Sequence, residues 1–391
     1  MFRSSYMIIG FAVLLSACRS NDKIKGTGTN SVSSLLDNRY SQILEYPIDS
    51  MAFPRSISIK TGIIKNEPSK DWTSGFFPGN LWLLYKLTGD ETYKVKAEGW
   101  TAFSEKEKLN GGSHDVGFKV NCSVGYAYEI TDNPHYKDVI IEAAKTLIGR
   151  YNPIVGAIKS WDFNGEEWQY PVIIDNMMNL ELLFGATKLS QDSTYYNIAV
   201  QHANTTLKNH FRKDNSTYHV VVYDTISGKP YGKVTHQGYS DESSWARGQS
   251  WAVYGFTMAY RYTKDTVYLH QAEATASFFI NNKNLPEDGI PYWDFNDPSI
   301  PKAPRDVSAA TIMASALIEL YSYTNKDQFL NYSNKVLINL KSTEYILPDN
   351  VKAPFIFMHS TGNLPADSEI DVSIVYADYY YLEAVLRKKQ Q

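Results

Sequence analysis

Cysteine is almost missing from this chain. Only Cys18 and Cys122 occur in 391 residues, too few for a disulfide framework, and no Cys/His cluster offers a zinc pattern. Basic runs are missing too: 38 Lys and Arg stand against 42 Asp and Glu, a net charge of −4, which argues against a nucleic-acid binder. Such a chain does not draw in an acidic ligand from a distance, so an anionic substrate has to be held by local groups. The apolar stretch Met7 to Leu15 has nine residues, far short of the ~20 that span a bilayer. Aromatic residues are plentiful, with 29 Tyr, 17 Phe and 8 Trp. They suit a groove where sugar rings stack on flat faces, and equally an aromatic-rich core.

The N-terminus reads as a targeting segment. Arg3 precedes the apolar stretch, which runs into Leu15-Ser16-Ala17-Cys18 and resembles the lipobox of bacterial lipoproteins, where the Cys is lipidated and becomes the new N-terminus. On this reading residues 1–18 are a signal peptide ending at the lipidated Cys18, and the polar residues 19–34 are a flexible tether. Residues 35–391 form one domain, held at the cell envelope, periplasm or outer membrane, by the lipid anchor alone.

One spacing recurs along that domain. Thr88 to Tyr93, Thr131 to Tyr136, Ser190 to Tyr195, Thr263 to Tyr268 and Thr324 to Phe329 each set a hydroxyl residue five before an aromatic, inside a short polar turn. The hydroxyl residues fall 43, 59, 73 and 61 residues apart, too far for 34-residue tetratricopeptide repeats. Segments before the turns, such as MMNLELLFGATKL and AATIMASALIELY, are apolar nearly all round and belong inside. Those after, such as YYNIAVQHANTTLKNHF, carry a polar face and belong outside. With an outer helix near Ser33 to Tyr46 and a closing inner helix near Val372 to Arg387, the pattern predicts an all-α (α/α)6 barrel. Its turns share one end, so the long connections entering the inner helices share the other, where function is expected.

Those connections carry the candidate residues. Asp175, in YPVIIDNMMNLELLF, is framed by apolar neighbours with no obvious cation in the sequence around it. Burial there raises a carboxyl pKa and makes a proton donor; a cap on the helix beginning at Met177 explains the residue equally well. His114-Asp115 in GGSHDVGF places a second acid ahead of an inner helix, or a turn with an Asx cap. Two acids at one mouth would divide into donor and acceptor. HQGYSDESSWARGQSWAVYGF offers Gln237, Arg247 and Trp251; Arg247 can grip a carboxylate as a planar fork, or pair structurally with Asp241 or Glu242. His219, in the β-like run YHVVVYD, reads as a ligand or an ordinary partly buried His, and Trp72 and Trp293 as sugar platforms or packing. Asp306 reads as a cap, while His359 and Ser360 have no partner that sequence identifies.

With SHDVGF, IIDNMMN and GYSDESSWARGQSWAVYG in place, the chain resembles the unsaturated glucuronyl hydrolases of glycoside hydrolase family 88 from about Trp72 to the C-terminus. The resemblance implies the (α/α)6 barrel and no metal or cofactor. It implies a substrate left by polysaccharide lyases, whose terminal uronic acid carries a C4=C5 double bond. A carboxylic acid protonates C4, water adds at C5, and the hemiketal opens to release the remaining chain. By match of motif Asp175 is the acid and base, Asp115 assists it, and His219, Gln237, Arg247 and Trp251 bind the sugar, with Trp72, His114 and Trp293 as weaker matches. Some members read a sulfate with a Ser and a Lys in the last loop; here HSTGNLPADSEIDVS has Ser360 but no Lys between His359 and Asp371. Competing readings are an unsaturated rhamnogalacturonyl hydrolase acting on pectin fragments and, in another class, a non-catalytic glycan-binding lipoprotein.

Overall fold

The computed structural model describes residues 29–391. The expected signal segment, Cys18 and the first part of the tether lie outside these residues. Six outer helices, α1 (Thr29–Glu45), α3 (Glu91–Ser104), α5 (Pro134–Ile148), α7 (Ser193–Asn209), α9 (Thr266–Ile280) and α11 (Asp327–Asn339), alternate with six inner ones. The inner set is α2 (Phe76–Thr88), α4 (Tyr126–Thr131), α6 (Asn176–Ser190), α8 (Ala246–Thr263), α10 (Val307–Thr324) and α12 (Val375–Lys389), with α4 continuing a π-helix, Gly117–Gly125. Each inner helix packs against the next, and α12 returns to α2, closing the ring expected from the repeat. Helix α1 starts at Thr29, so part of the segment expected as tether is helical. Among the described residues no helix is long and apolar enough to cross a membrane.

The recurring spacing has a structural cause. In each turn the hydroxyl donates to the carbonyl four residues back, as Thr88 does to Leu84 and Ser190 to Ala186, and accepts the amide two residues on. The residue between them is left-handed: Gly89, Asp132, Gln191, Lys264 and Asn325. In four turns the next residue is Asp or Asn and caps the outer helix: Asp90, Asn133, Asp192 and Asp265. The aromatic then falls in the first turn of that helix and is buried, from Tyr136 at 9% exposed to Phe329 at 0%.

The connections at the other end hold short antiparallel strands that an all-α reading of the sequence does not contain. Strands β1 (Phe53–Ser58) and β2 (Ile64–Glu67) join the distant β8 (Val372–Ile374) in the order β2-β1-β8; β3 (Tyr151–Asn152) pairs with β4 (Ala157–Ile158); β5 (Pro171–Ile173), β6 (Val220–Tyr223) and β7 (Pro230–Val234) form a third sheet. A cavity of about 540 Å³ opens at the turn end of the axis, among Glu181, Arg261, Glu319, Glu383 and Arg387. These charges pair with one another, Arg261 with Glu181 and Glu319 and Arg387 with Glu319 and Glu383, so they close the barrel rather than face the candidate acids.

Candidate active site

Strand pairing delivers Asp175. β5 meets β6 with Ile173 opposite Val220, the Ile174 amide donates to the His219 carbonyl, and the chain then turns into α6. Asp175 stands immediately before that helix but makes no side-chain cap bond, so the capping alternative fails. The residue is 9% exposed, and Oδ2 is buried without a hydrogen-bond partner. Burial pushes its pKa up to about 6 against the opposing pull of His114 and Arg247, with Asp115 adding a small push upward. The sequence neighbourhood shows no cation; the fold brings Arg247 near from 72 residues away.

Ser160 draws the second acid to the same place. Its carbonyl accepts the His114 amide at 3.1 Å, its amide donates to Pro171 O at 2.8 Å, and its Oγ accepts the Ile173 amide at 3.0 Å. The segment holding His114 and Asp115 is thereby stitched to the strand that leads into Asp175. Asp115 receives Ser113 Oγ at 2.8 Å and lies 3.2 Å from His114 Nε2, bonds that replace the expected Asx cap. Burial opposes its ionisation, but His114 and these hydrogen bonds win and hold the carboxyl below the ordinary range. The two acids therefore titrate apart, with Asp175 the one that keeps its proton.

His219 completes this group. Its Nδ1 accepts the amides of His236 and Gln237 at 3.1 and 3.2 Å, so in the neutral ring the proton sits on Nε2. Nε2 is buried, lacks a partner, and lies 3.8 Å from Asp175 Oδ2. Burial drives the His219 pKa well below normal, so the ring is a neutral donor. Gln237 is partly exposed and donates to Gly362 O at 3.2 Å. Trp72 keeps part of its surface open against Phe76, Phe118 and Tyr376.

Beside His219 runs a wall that the sequence reading missed. Trp161 stacks on Phe163 at 4.8 Å and on Trp168 at 6.2 Å, with His236 at 5.3 Å and His219 at 5.9 Å. Three aromatics within the eight residues WDFNGEEW, shortly before Asp175, were the available signal. Ser160 left none.

Three residues expected to contact sugar are buried and engaged within the protein. Arg247 is 1% exposed and pairs with neither Asp241 nor Glu242: it donates to Asp306 Oδ2 at 2.7 Å, Thr361 O at 2.6 Å and Gly362 O at 2.5 Å. Its guanidinium lies 4.6 Å from the Trp245 ring, which in turn lies 4.6 Å from His219, so Trp245 takes the place expected of Trp251. Trp251 is fully buried between Phe118 and Tyr380. Trp293 is 1% exposed and donates to Asp297, so neither Trp offers an open face. Asp306 caps α10 as expected, through Ser308, while also holding Arg247. His359 finds Asp371 at 2.5 Å, and Ser360 Oγ is buried without a partner.

Comparison with known proteins follows this geometry. Residues 50–284 match the model of Glycosyl Hydrolase Family 88. The chain is 56% identical over 387 residues to an unsaturated glucuronyl hydrolase of Formosa agariphila, covering 98% of this chain and 97% of that one. Among solved structures it is similar to an unsaturated glucuronyl hydrolase specific for heparin, with a TM-score of 0.88 and 42% identity over 92% of this chain and 96% of the other. It is also similar to a mutant unsaturated glucuronyl hydrolase of Streptococcus agalactiae complexed with dGlcA-GalNAc6S, with a TM-score of 0.76 and 28% identity over 92% and 91% of the two chains.

Proposed function

The chain belongs to glycoside hydrolase family 88 and is an unsaturated glucuronyl hydrolase, and on that premise we propose that Asp175 is its proton donor and Asp115 the charged partner that orients sugar and water. The substrate is an unsaturated uronic acid at the non-reducing end of a glycosaminoglycan fragment. Protonated Asp175 gives its proton to C4, and the C4=C5 electron pair forms the new C–H bond, leaving positive charge shared by C5 and the ring oxygen. Water adds to C5 and returns a proton to Asp175. The ring C5–O bond then opens to a ketone, and the hemiacetal left at C1 releases the remaining chain, with one water consumed. His219 Nε2 donates to the substrate, and the wall of Trp161, Phe163 and Trp168 carries the next sugar by stacking. The observation that supports this reading is the facing pair of buried, unpartnered atoms, Asp175 Oδ2 and His219 Nε2, 3.8 Å apart.

Incubation with an unsaturated glucuronyl disaccharide should abolish the ultraviolet absorbance of its double bond, while the saturated disaccharide stays intact. Because Asp175 must be protonated, the rate should fall as pH rises through about 6. Hydrolysis of the saturated sugar, or a rate that climbs through that range, would sink the assignment. The lipid anchor at Cys18 stays part of the proposal; Cys18→Ala should move the protein from the membrane to the soluble fraction, and unchanged fractionation would remove it.

A further inference from the structure

The helix that follows Asp115 and the helix that follows Asp175 pack together, most closely at Gly117 and Asn179. Phe118, three residues after Asp115, sends its amide out of its own helix to Asn179 Oδ1 at 2.9 Å, a fully buried bond. Asn179 lies four residues after Asp175, one turn into α6. The backbones meet there as well: a Cβ on Gly117 would stand 2.6 Å from Asn179 Oδ1 and 2.8 Å from its Cα. Gly117 opens the π-helix Gly117–Gly125, a rare form that gathers at functional sites. Asn179 Nδ2 is buried and unpaired, so this side chain is retained despite one unsatisfied donor.

We propose that Asn179 and Gly117 are positioning residues for the reaction, fixing the distance and angle between Asp115 and Asp175 through the Phe118 amide bond and the backbone contact that only glycine permits. The inference rests on the assignment of those two acids. Neither residue needs to touch the substrate. Helix packing alone would be met by an apolar side chain at 179, which fills the same space without stranding a donor. What an apolar residue cannot do is accept the Phe118 amide, the one polar tie between the two helices at this level. Widening the gap would move Asp115 and His114 together, since Ser160 and the first π turn carry both.

The test compares Asn179→Leu, which keeps the branched shape with slightly larger ends and loses the acceptor, with Asn179→Asp, which keeps an acceptor for Phe118. Gly117→Ala provides a third variant that keeps Asn179 and forces the helices apart. We expect Asn179→Leu and Gly117→Ala to lower kcat by about tenfold to a hundredfold with KM within about threefold, the pattern of misplaced catalytic groups. Asn179→Asp should recover most of kcat. Should Gly117→Ala fail to fold, the contrast between the two substitutions at 179 still decides. A kcat per folded Asn179→Leu enzyme equal to that of the unsubstituted enzyme overturns the proposal, as does equal impairment of the Leu and Asp variants. If instead Asp175→Asn leaves turnover intact, the assignment of the acids fails, an outcome distinct from either.

Discussion

Five connections at the turn end of the barrel repeat one arrangement, whereas the connections at the loop end share neither length nor pattern. In the five turns every hydroxyl is paired, and in four of them the cap as well, because nothing but folding acts on them. At the loop end, polar atoms of Asp175, His219, Asn179 and Ser360 are buried without partners. Each such atom costs on the order of 1 to 3 kcal/mol that a repeat optimised for stability would not retain. The difference locates function: the irregular end stores unmet polar chemistry, and the regular end supplies the stability that tolerates it.

The sharpest way to break this comparison is Asp175→Asn. Turnover should fall by about a hundredfold to ten-thousandfold, the range for a removed general acid. Stability should move the other way. The folded carboxyl titrates near 6 and the unfolded one near 3.8, so the native state binds more protons between those values and loses stability as pH rises across them. Above both values the penalty reaches about 3 kcal/mol, and an amide does not carry it. Melting curves at pH 7.5 and at pH 3.5 should therefore show the variant more stable at the higher pH and nearly level at the lower. A variant that is less stable at pH 7.5 would mean that Asp175 is scaffolding after all.

The same division explains what the sequence disclosed. The hairpins were legible because each turn needs the same hydroxyl and left-handed residue, with a cap in four of the five, and the helices because full or one-sided apolarity follows from their layer. Asp175 and Asp115 were legible as acids ahead of inner helices, and their roles through the family motif; the burial and the Ser160 bonds that set the two carboxyls apart were not. Arg247 misled because a guanidinium reads the same whether it faces a ligand or three buried acceptors, and Asp306 lies 59 residues away from it. Trp251 misled by its spacing from Arg247: Trp245, one residue before α8, is the ring that meets the guanidinium. Of the short strands only YHVVVYD was legible as β-like; runs such as PVI escaped because they gain their pairing only across the loops.

Arg247 lies at the irregular end yet is paired like a turn residue, so its substitution sharpens the comparison. Lysine keeps the charge but cannot serve Asp306, Thr361 O and Gly362 O from one planar fork. Arg247→Lys should lower stability by about 1.5 to 3 kcal/mol, the range for charged hydrogen bonds. Because Gly362 O also receives the partly exposed Gln237, the specificity constant per folded enzyme should fall by about tenfold. An unchanged melting temperature with a large kinetic loss would return Arg247 to direct substrate binding.

The smallest effect is expected at the turn end, where the reading is most exposed to a simple check. Asn133 caps α5 by accepting the His135 amide at 3.0 Å, and Asp265 caps α9 by accepting the Val267 amide at 3.1 Å. The two turns share no hydrogen-bonding partner, and neither contributes to the group around Asp175. Asn133→Ala should cost about 0.5 to 2 kcal/mol, the usual value of a lost cap. In a barrel of this size that shifts the melting temperature by only about 1 to 3 °C. Adding Asp265→Ala should lower it further by the amount that Asp265→Ala costs alone, because distant sites without shared partners add. Turnover per folded enzyme should not change in either single variant or in the pair. A kinetic loss, or a double variant that departs from additivity, would show that the turns communicate with the mouth, and the two ends could then no longer be treated as separate solutions to separate demands.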